Sequence, residues 1–584
     1  MMKTRYNKII CAICVACGLM SCSDFLDIKP QNEIILEDFW NEKADVDNIV
    51  TGCYTLMQTQ DVISRMIIWG EARSENVQAG PNITDNPDLH NILKENITAM
   101  NGYTKWDAFY EVINRCNTVL KYAPEVAEKD PAYTQSDLKA TIAEVTALRS
   151  LCYFYLIRTF RDVPFSREAF TDDDQKMDLE AMPFAEVLDN LIADLEAVQK
   201  DAVTRYPEKK PRYQAGRITQ DGIRAMLCEM YLWKGDYDKC ISYAEMVIDH
   251  KKEIEKEERE KNKVLYGSIE SLLEKRLNGY PLVNDELQTT TYGEAYETIF
   301  VDGASKESVF ELNFDEKPKD HGMPSNVAVT SLYGHQDASG LLVASKVVQE
   351  DIELTSGRKI FDDKNKKLDA RLYLNCDGTK TSNVPIEKMS ASTIIIKAST
   401  ASPTASYVKY KDGENSSQWI IYRLADIMLM EAEAYCEKMK EGSTTEVLDY
   451  NKPLIEKAFI LTNVVNKRSI CKKELGANDT LQLNTGATKS QMLDLVKRER
   501  QRELMYEGKR WYDLVRYAMR AGNTNEIISA TSKRDDVNAG FVANFFKKMD
   551  AIFWPYNLEE LKVNRNLVPN PAFSSGENES MDKS

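Results

Sequence analysis

The sequence predicts a mostly α fold made of tetratricopeptide-like helix pairs, with an irregular, loop-rich region that carries short strands. Three observations predict it. Between Thr219 and His250, the residues Leu227, Cys228, Tyr231, Gly235, Cys240, Ala244 and Val247 fall at the helix–turn–helix offsets of such a repeat. Apolar residues recur at helical spacing up to about His250, before a charge run at 251–263, and again from Tyr422. Between residues 264 and 415 that period breaks down, and Gly, Asn, Asp, Ser and Tyr become frequent.

The chain opens with Lys3, Arg5 and Lys8, then an uncharged, mostly apolar run from Ile9 to Met20. A membrane-spanning helix needs roughly 20 apolar residues, so this run reads as a secretory signal. It ends in Leu19-Met20-Ser21-Cys22 rather than in small residues of the A-x-A kind. That ending resembles the bacterial lipobox, in which the cysteine is acylated and becomes the mature N-terminus. Residues 1–21 are therefore expected to be removed and Cys22 to carry lipid. Cys11, Cys14 and Cys17 have a redox or iron–sulfur spacing, but they lie in the segment that is lost. The other eight cysteines are scattered without such spacing, and Cys152, Cys228, Cys240 and Cys436 lie on apolar helical faces, as small buried hydrophobes do.

Residues 22–263 read as an N-terminal helical region. Its leader, 22–36, is polar and extended. Helices are expected from Phe39-Trp40, over Lys105–Ala123, over Ser136–Phe160 and over 184–198. Residues 76–103 are rich in Asn, Asp, Pro and Gly and read as a long surface loop. Pro164 disfavours helix in the residue before it and ends the third helix. In the repeat, Gly235 and Asp236 turn the chain while the small residues 228, 240 and 244 let its helices approach. The charge run 251–263 reads as a solvated helix extension.

Residues 264–584 read as a second region, with recognition loops first and closing helices after them. Ser308–Asn313 and Thr393–Lys397 are strand-like. A further helix pair is expected from Tyr422, with its partner near Pro453–Val465 after a polar insertion at 437–450.

Net charge is −17, and loss of Lys3, Arg5 and Lys8 makes it more negative. Such a field repels phosphate backbones, so nucleic acid is not an expected partner. Charged residues make up 29% of the chain, and no 18-residue apolar run follows Cys22, which argues against a polytopic membrane protein.

Five stretches converge in order: the lipobox; Ala147-Leu148-Arg149 through Phe160-Arg161-Asp162-Val163-Pro164; Gly235-Asp236-Tyr237; Tyr422-Arg423-Leu424-Ala425-Asp426 through Glu431-Ala432-Glu433-Ala434; and Arg498 to Leu504 through Glu507-Gly508-Lys509-Arg510-Trp511-Tyr512-Asp513-Leu514-Val515-Arg516. Together they resemble the SusD/RagB family of nutrient-binding outer-membrane lipoproteins over nearly the whole mature chain. Arg161 stands where that family usually has Gly, and a non-Gly residue resists a positive-φ turn. Asn564–Phe573 matches the family pattern only loosely. The resemblance implies a SusD-like α-helical fold and a surface lid over a SusC-like, TonB-dependent barrel. Such a lid captures oligosaccharides or, in the RagB branch, peptides. It also places the chain on the outer membrane, facing outward, with residues 23–36 as a strap.

A lipid-anchored glycoside hydrolase is the rival reading. Glu499, Glu503 and Glu507 share a helix face, and paired carboxylates perform glycoside hydrolysis. Like charges four apart repel, so arginines such as 498, 500, 502, 510 and 516 are expected to pair with them. Pairing lowers a carboxyl pKa, whereas a general acid needs it raised. The four histidines (90, 250, 321, 335) form no zinc motif, and no nucleophile elbow or phosphate loop is present. No cofactor or metal set is expected, and binding is preferred to catalysis.

A sugar site needs amphipathic rings and a few polar groups that fix orientation. Trp69 precedes the 76–103 segment and is the tryptophan least explained by packing, although a core role suits it slightly better. Tyr292, Tyr296, Tyr333 and His335 are candidates from the irregular region. Asn82 and Asp85 could add polar contacts.

Overall fold

The computed structural model describes residues 39–172, 174–261, 276–285, 290–316, 323–349, 360–361, 368–398 and 403–573. The leader and Cys22 lie outside the described residues. Helix α1 (Lys43–Met57) packs on α4 (Asp107–Lys129), α4 on α5 (Gln135–Phe160), and α5 on α6 (Phe184–Val198). The repeat pair is α7 (Gln220–Lys234) and α8 (Tyr237–Lys261), and α8 packs on α10 (Leu424–Glu437). Helix α10 in turn meets α11 (Thr445–Arg468) and α12 (Lys489–Leu504).

Local chemistry explains the boundaries. Thr134 Oγ1 accepts from the Asp137 amide while the Asp137 carboxylate accepts from the Thr134 amide, a capping box that starts α5. Every residue of α5 from Ala143 to Phe160 is buried, so its apolar length serves the core. Gly235, at φ +82°, ends α7 in the left-handed conformation that glycine adopts without strain. The small side chains across the repeat let Cys228 Sγ and Cys240 Sγ approach to 3.6 Å. Every residue of α10 from Leu424 to Cys436 is buried, because helices flank it on three sides.

Several sequence expectations are corrected. Residues 76–103 are not a long surface loop. They hold β1 (Val77–Ala79), a 3-10 turn (Ile83–Asp85) and α3 (Pro87–Leu93), which follows α2 (Gln60–Ile67) in the chain. Asn86 caps α3 with Pro87 at its first turn, and Leu89, Ile92 and Leu93 bury one face. Helix α4 runs on to Lys129 with Pro124 inside it, and α11 begins at Thr445, capped by Thr444. The polar insertion is therefore shorter than expected. Arg161 takes φ +71°, ψ −77° despite its side chain, and the Asp162 amide donates back to Phe160 O at 3.1 Å. That i→i+2 bond makes a strained γ-turn.

The irregular region supplies short antiparallel ribbons. β2 (Thr291–Tyr292), β3 (Ser308–Leu312), β4 (Gly334–His335), β5 (Ala338–Ser339) and β6 (Leu342–Ala344) precede β7 (Ala391–Lys397), β8 (Thr404–Lys409) and β9 (Trp419–Arg423). β1 pairs with β6, β3 with β9, β4 with β5, and β7 lies between β8 and β2. The two strand-like runs seen in the sequence are β3 and β7. One apolar core takes residues from both sides of position 264, Leu227 and Met428 among them, and a smaller one gathers around Trp511, Phe546 and Phe553.

Candidate functional site

Four of the sequence-predicted ligand residues are buried and present no ring face to a ligand. Trp69 is fully buried, stacked on Phe109 at 4.9 Å with Phe160 edge-on at 5.4 Å. Its indole N–H donates to Tyr103 O at 2.8 Å, so even its polar tip is satisfied internally. Tyr296 donates its hydroxyl to Ala391 O at 2.8 Å and accepts from the Met389 amide at 2.9 Å. Tyr333, in α9 (Val327–Tyr333), donates to Tyr506 O at 3.0 Å, and Tyr292 is buried where β2 pairs with Ile396. Rings that can cover a sugar can equally fill a core, and sequence spacing alone does not separate the two.

The other three lie on two adjoining turns, Asn82 and Asp85 on one and His335 on the hairpin that Asn82 touches. β1 and β6 pair in the register Val77↔Ala344 to Ala79↔Leu342, which sets the turn after β1 against the β4–β5 hairpin. The Gly80 amide donates to Leu341 O at 2.8 Å, and Asn82 Nδ2 donates to Ser339 O at 3.2 Å. Only glycine fits at position 80, because a Cβ there would sit 2.3 Å from Gly340 O. On these two turns Thr84, Asp85, Gln336, Asp337 and Ser339 are exposed, with Asn82 and His335 half-buried. His335 Nδ1 accepts from the Asp337 amide at 3.3 Å, which leaves Nε2 as the ring's other polar atom.

Sequence reasoning missed the aromatic of this neighbourhood. Tyr103 is half-buried, and its hydroxyl accepts from Asn86 Nδ2 at 2.7 Å, at the start of α3. Burial pushes that hydroxyl above the ordinary tyrosine pKa, so it stays protonated and can donate. The available signal was its position in the polar 76–103 segment, together with Asn82 and Asp85.

The glutamates weighed for catalysis sit in a buried ion network. Glu499 pairs with Arg371 at 2.6 Å and with Arg502; Glu503 pairs with Arg423 at 2.6 Å, Arg371 at 3.2 Å and Arg468. Glu507 pairs with Lys388 at 2.6 Å and Arg423 at 2.7 Å. Burial pushes the Glu503 carboxyl up, but Arg468, Arg423 and Arg371 outweigh it and hold the group well below the usual range. Glu499 and Glu507 are lowered by the same balance, so none of the three keeps the proton a general acid donates. Of the arginines expected as partners, Arg502 serves this trio. Arg500 holds Asp513 and Asp426, Arg510 holds Glu75, and Arg516 holds Glu433 and Asp513. Arg498 lies beside Asp494. Among the described residues, no group of three or more His, Cys, Asp or Glu side chains could hold a metal ion.

A profile described as the SusD family matches residues 306–573, and one described as starch-binding associating with outer membrane matches residues 24–232. The chain belongs to the SusD/RagB family. As a SusD/RagB protein it is 23% identical over 587 residues to SusD-like protein P38 of Formosa agariphila, a match spanning 98% of this chain and 99% of that one. Its fold is similar to that of a laminarin binding SusD-like protein, with TM-score 0.59, 18% identity, and 91% and 100% of the two chains covered. It is similar also to surface glycan-binding protein A from Bacteroides thetaiotaomicron in complex with laminarihexaose, with TM-score 0.59, 16% identity and the same coverage.

Proposed function

We propose that this SusD/RagB protein is a cell-surface lipoprotein that captures oligosaccharides and passes them to a SusC-like, TonB-dependent outer-membrane transporter. The observation that carries the reading is its end-to-end likeness in fold to proteins named for glycan binding, one of them in complex with laminarihexaose. The face around Asn82, Asp85, Tyr103 and His335 supports it, because a half-exposed ring beside hydrogen-bonding groups suits a sugar's apolar face and its hydroxyls. The lipobox supports anchoring through Cys22 to the outer membrane, with the body facing outward.

Calorimetric titration with laminarihexaose, maltoheptaose and a mixed tripeptide set tests the reading. Saturable binding of at least one glucan is expected, with the sugar recovered unchanged after overnight incubation. Shortened products in the mixture would replace binding with hydrolysis. Binding of peptides and of neither glucan would replace sugar capture with peptide capture. An affinity unmoved by Asp85→Ala together with His335→Ala would place the ligand elsewhere on the protein. For the anchor, labelled palmitate is expected to enter the wild-type chain and not Cys22→Ala.

A further inference from the structure

A cleft of about 420 Å³ opens between α12, α13 (Arg510–Ala521) and α14 (Asn525–Thr531). That volume falls within the range of small-molecule sites, and it admits about one or two sugar rings. The cleft is built from a part of the chain that the Asn82–His335 face does not use.

Its floor is polar and fixed. Gln501 and Arg510 are 3% and 5% exposed, and both line the cleft. Gln501 Nε2 donates to Glu75 Oε1 at 2.9 Å and to Asn76 Oδ1 at 2.8 Å. Both partners can only accept there, because Asn76 uses its Nδ2 as donor to Glu71. The amide orientation is therefore set, and Oε1 is the atom turned away from Glu75. Among the described residues no donor reaches it, and it keeps some exposure, so it opens to the cleft that Gln501 lines. Arg510 repeats the arrangement. Its Nε and Nη2 donate to Glu75 Oε1 at 3.1 and 2.6 Å, and among the described residues Nη1 meets no acceptor and keeps some exposure. One buried carboxylate thus holds an acceptor and a donor side by side at the bottom of the cavity.

The walls set the ligand's charge and shape. Lys497 pairs with Glu526 at 2.7 Å and lies 3.9 Å from the Tyr517 ring centroid; Lys489 pairs with Glu437 at 2.9 Å. The wall cations are matched by carboxylates, so the cleft presents alternating donors and acceptors with little net field. Such a lining favours a neutral partner with many hydroxyls over an ion, whose desolvation nothing would offset. Leu493, Ala518 and Ala530 supply the apolar strips that C–H faces of a sugar ring cover.

We propose that this cleft is a second binding site, which takes a neutral sugar unit through Gln501 Oε1 and Arg510 Nη1. The class of ligand rests on the glycan-binding reading, but the site does not share its residues.

Saturation-transfer NMR on the purified protein with glucose, galactose, mannose and xylose tests it. At least one sugar is expected to bind saturably, to weaken at least tenfold in Leu493→Trp, and to be unchanged in Asp85→Ala/His335→Ala. Asn525→Trp blocks the opposite, exposed rim should Leu493→Trp fail to fold. Absence of saturable binding by all four sugars would overturn the site, as would binding that survives both blocks in an Asp85→Ala/His335→Ala background. Glucuronate binding tenfold tighter than glucose would overturn the neutral-ligand assignment. Laminarihexaose affinity in the blocked variants separates the two readings. If it is unchanged, the capture face stands whatever becomes of the cleft; if it is lost, the cleft is the capture site and not a second one.

Discussion

Arg423 holds Glu507 at two points, Nε to Oε2 at 3.0 Å and Nη2 to Oε1 at 2.7 Å. It also reaches Glu503 through Nη1 at 2.6 Å, with all three side chains buried. This links the end of β9 to the end of α12, and so the strand region to the closing helices. Arg423→Met keeps the length but leaves two buried carboxylates short of a cation. Truncating one partner of such a network costs roughly 3–5 kcal/mol. The expected result is a large fall in urea midpoint with the m-value unchanged. A midpoint close to wild type would show that Arg468, Arg371 and Lys388 suffice.

The same network shows what was legible in the sequence and what was not. The helix carrying Glu499, Glu503 and Glu507 was readable from spacing, as was the need for cations near it. The identity of those cations was not, because Arg371, Lys388, Arg423 and Arg468 come from distant segments that only tertiary packing delivers. Helices with strong periodicity, such as 184–198, were placed to the residue. The 76–103 segment looks like loop from its composition because its polar residues cap and turn while a few apolar ones, Leu89, Ile92 and Leu93, do the burying. Aromatic candidates failed for the converse reason. Nothing local distinguishes a tyrosine facing inward from one facing a ligand, whereas Asn82, Asp85 and His335 are polar and stay at the surface, on turns that the β1–β6 register sets side by side.

Glu71 gives the protein a pH dependence of known sign. Burial pushes its carboxyl up to about 7, against hydrogen bonds from Asn76 and the Tyr506 amide. Its folded pKa lies above the unfolded one. Its contribution is therefore whole at low pH and is lost as pH rises from about 4.5 to about 7. The lost amount is about 3 kcal/mol at one pKa unit per 1.36 kcal/mol. Glu71→Gln removes the ionisation and keeps an acceptor for Asn76. The variant is expected to gain on wild type by about that much between pH 5 and pH 8, read from urea midpoints. A constant difference across that range would contradict the assignment.

Trp69→Ala separates a core role from a ligand role. The indole fills space between Phe109 and Phe160, and its removal from a fully buried site costs roughly 3–5 kcal/mol. The melting temperature is expected to drop sharply, while glucan affinity of the folded protein at low temperature stays within twofold. A tenfold loss of affinity with little change in melting would return Trp69 to the ligand face.

Arg161 is where the chain tolerates strain, and glycine should relieve it. Its φ of +71° is closed by the Asp162-to-Phe160 bond, a backbone geometry that costs a non-Gly residue roughly 1–3 kcal/mol. Its side chain offsets part of this by pairing with Asp162 and Asp550, but those pairs are partly exposed and contribute about 0–1 kcal/mol. Glycine also loses more chain entropy on folding, by roughly 0.5–1 kcal/mol. The strain is the larger quantity at the middle of these ranges. Arg161→Gly is therefore expected to raise stability by a few tenths to about 1 kcal/mol, and Arg161→Ala to lower it, since alanine keeps the strain and loses the pairs. Thermal melts of the two variants decide the matter. If glycine destabilises as much as alanine, the Asp550 pair, rather than the turn, governs this corner.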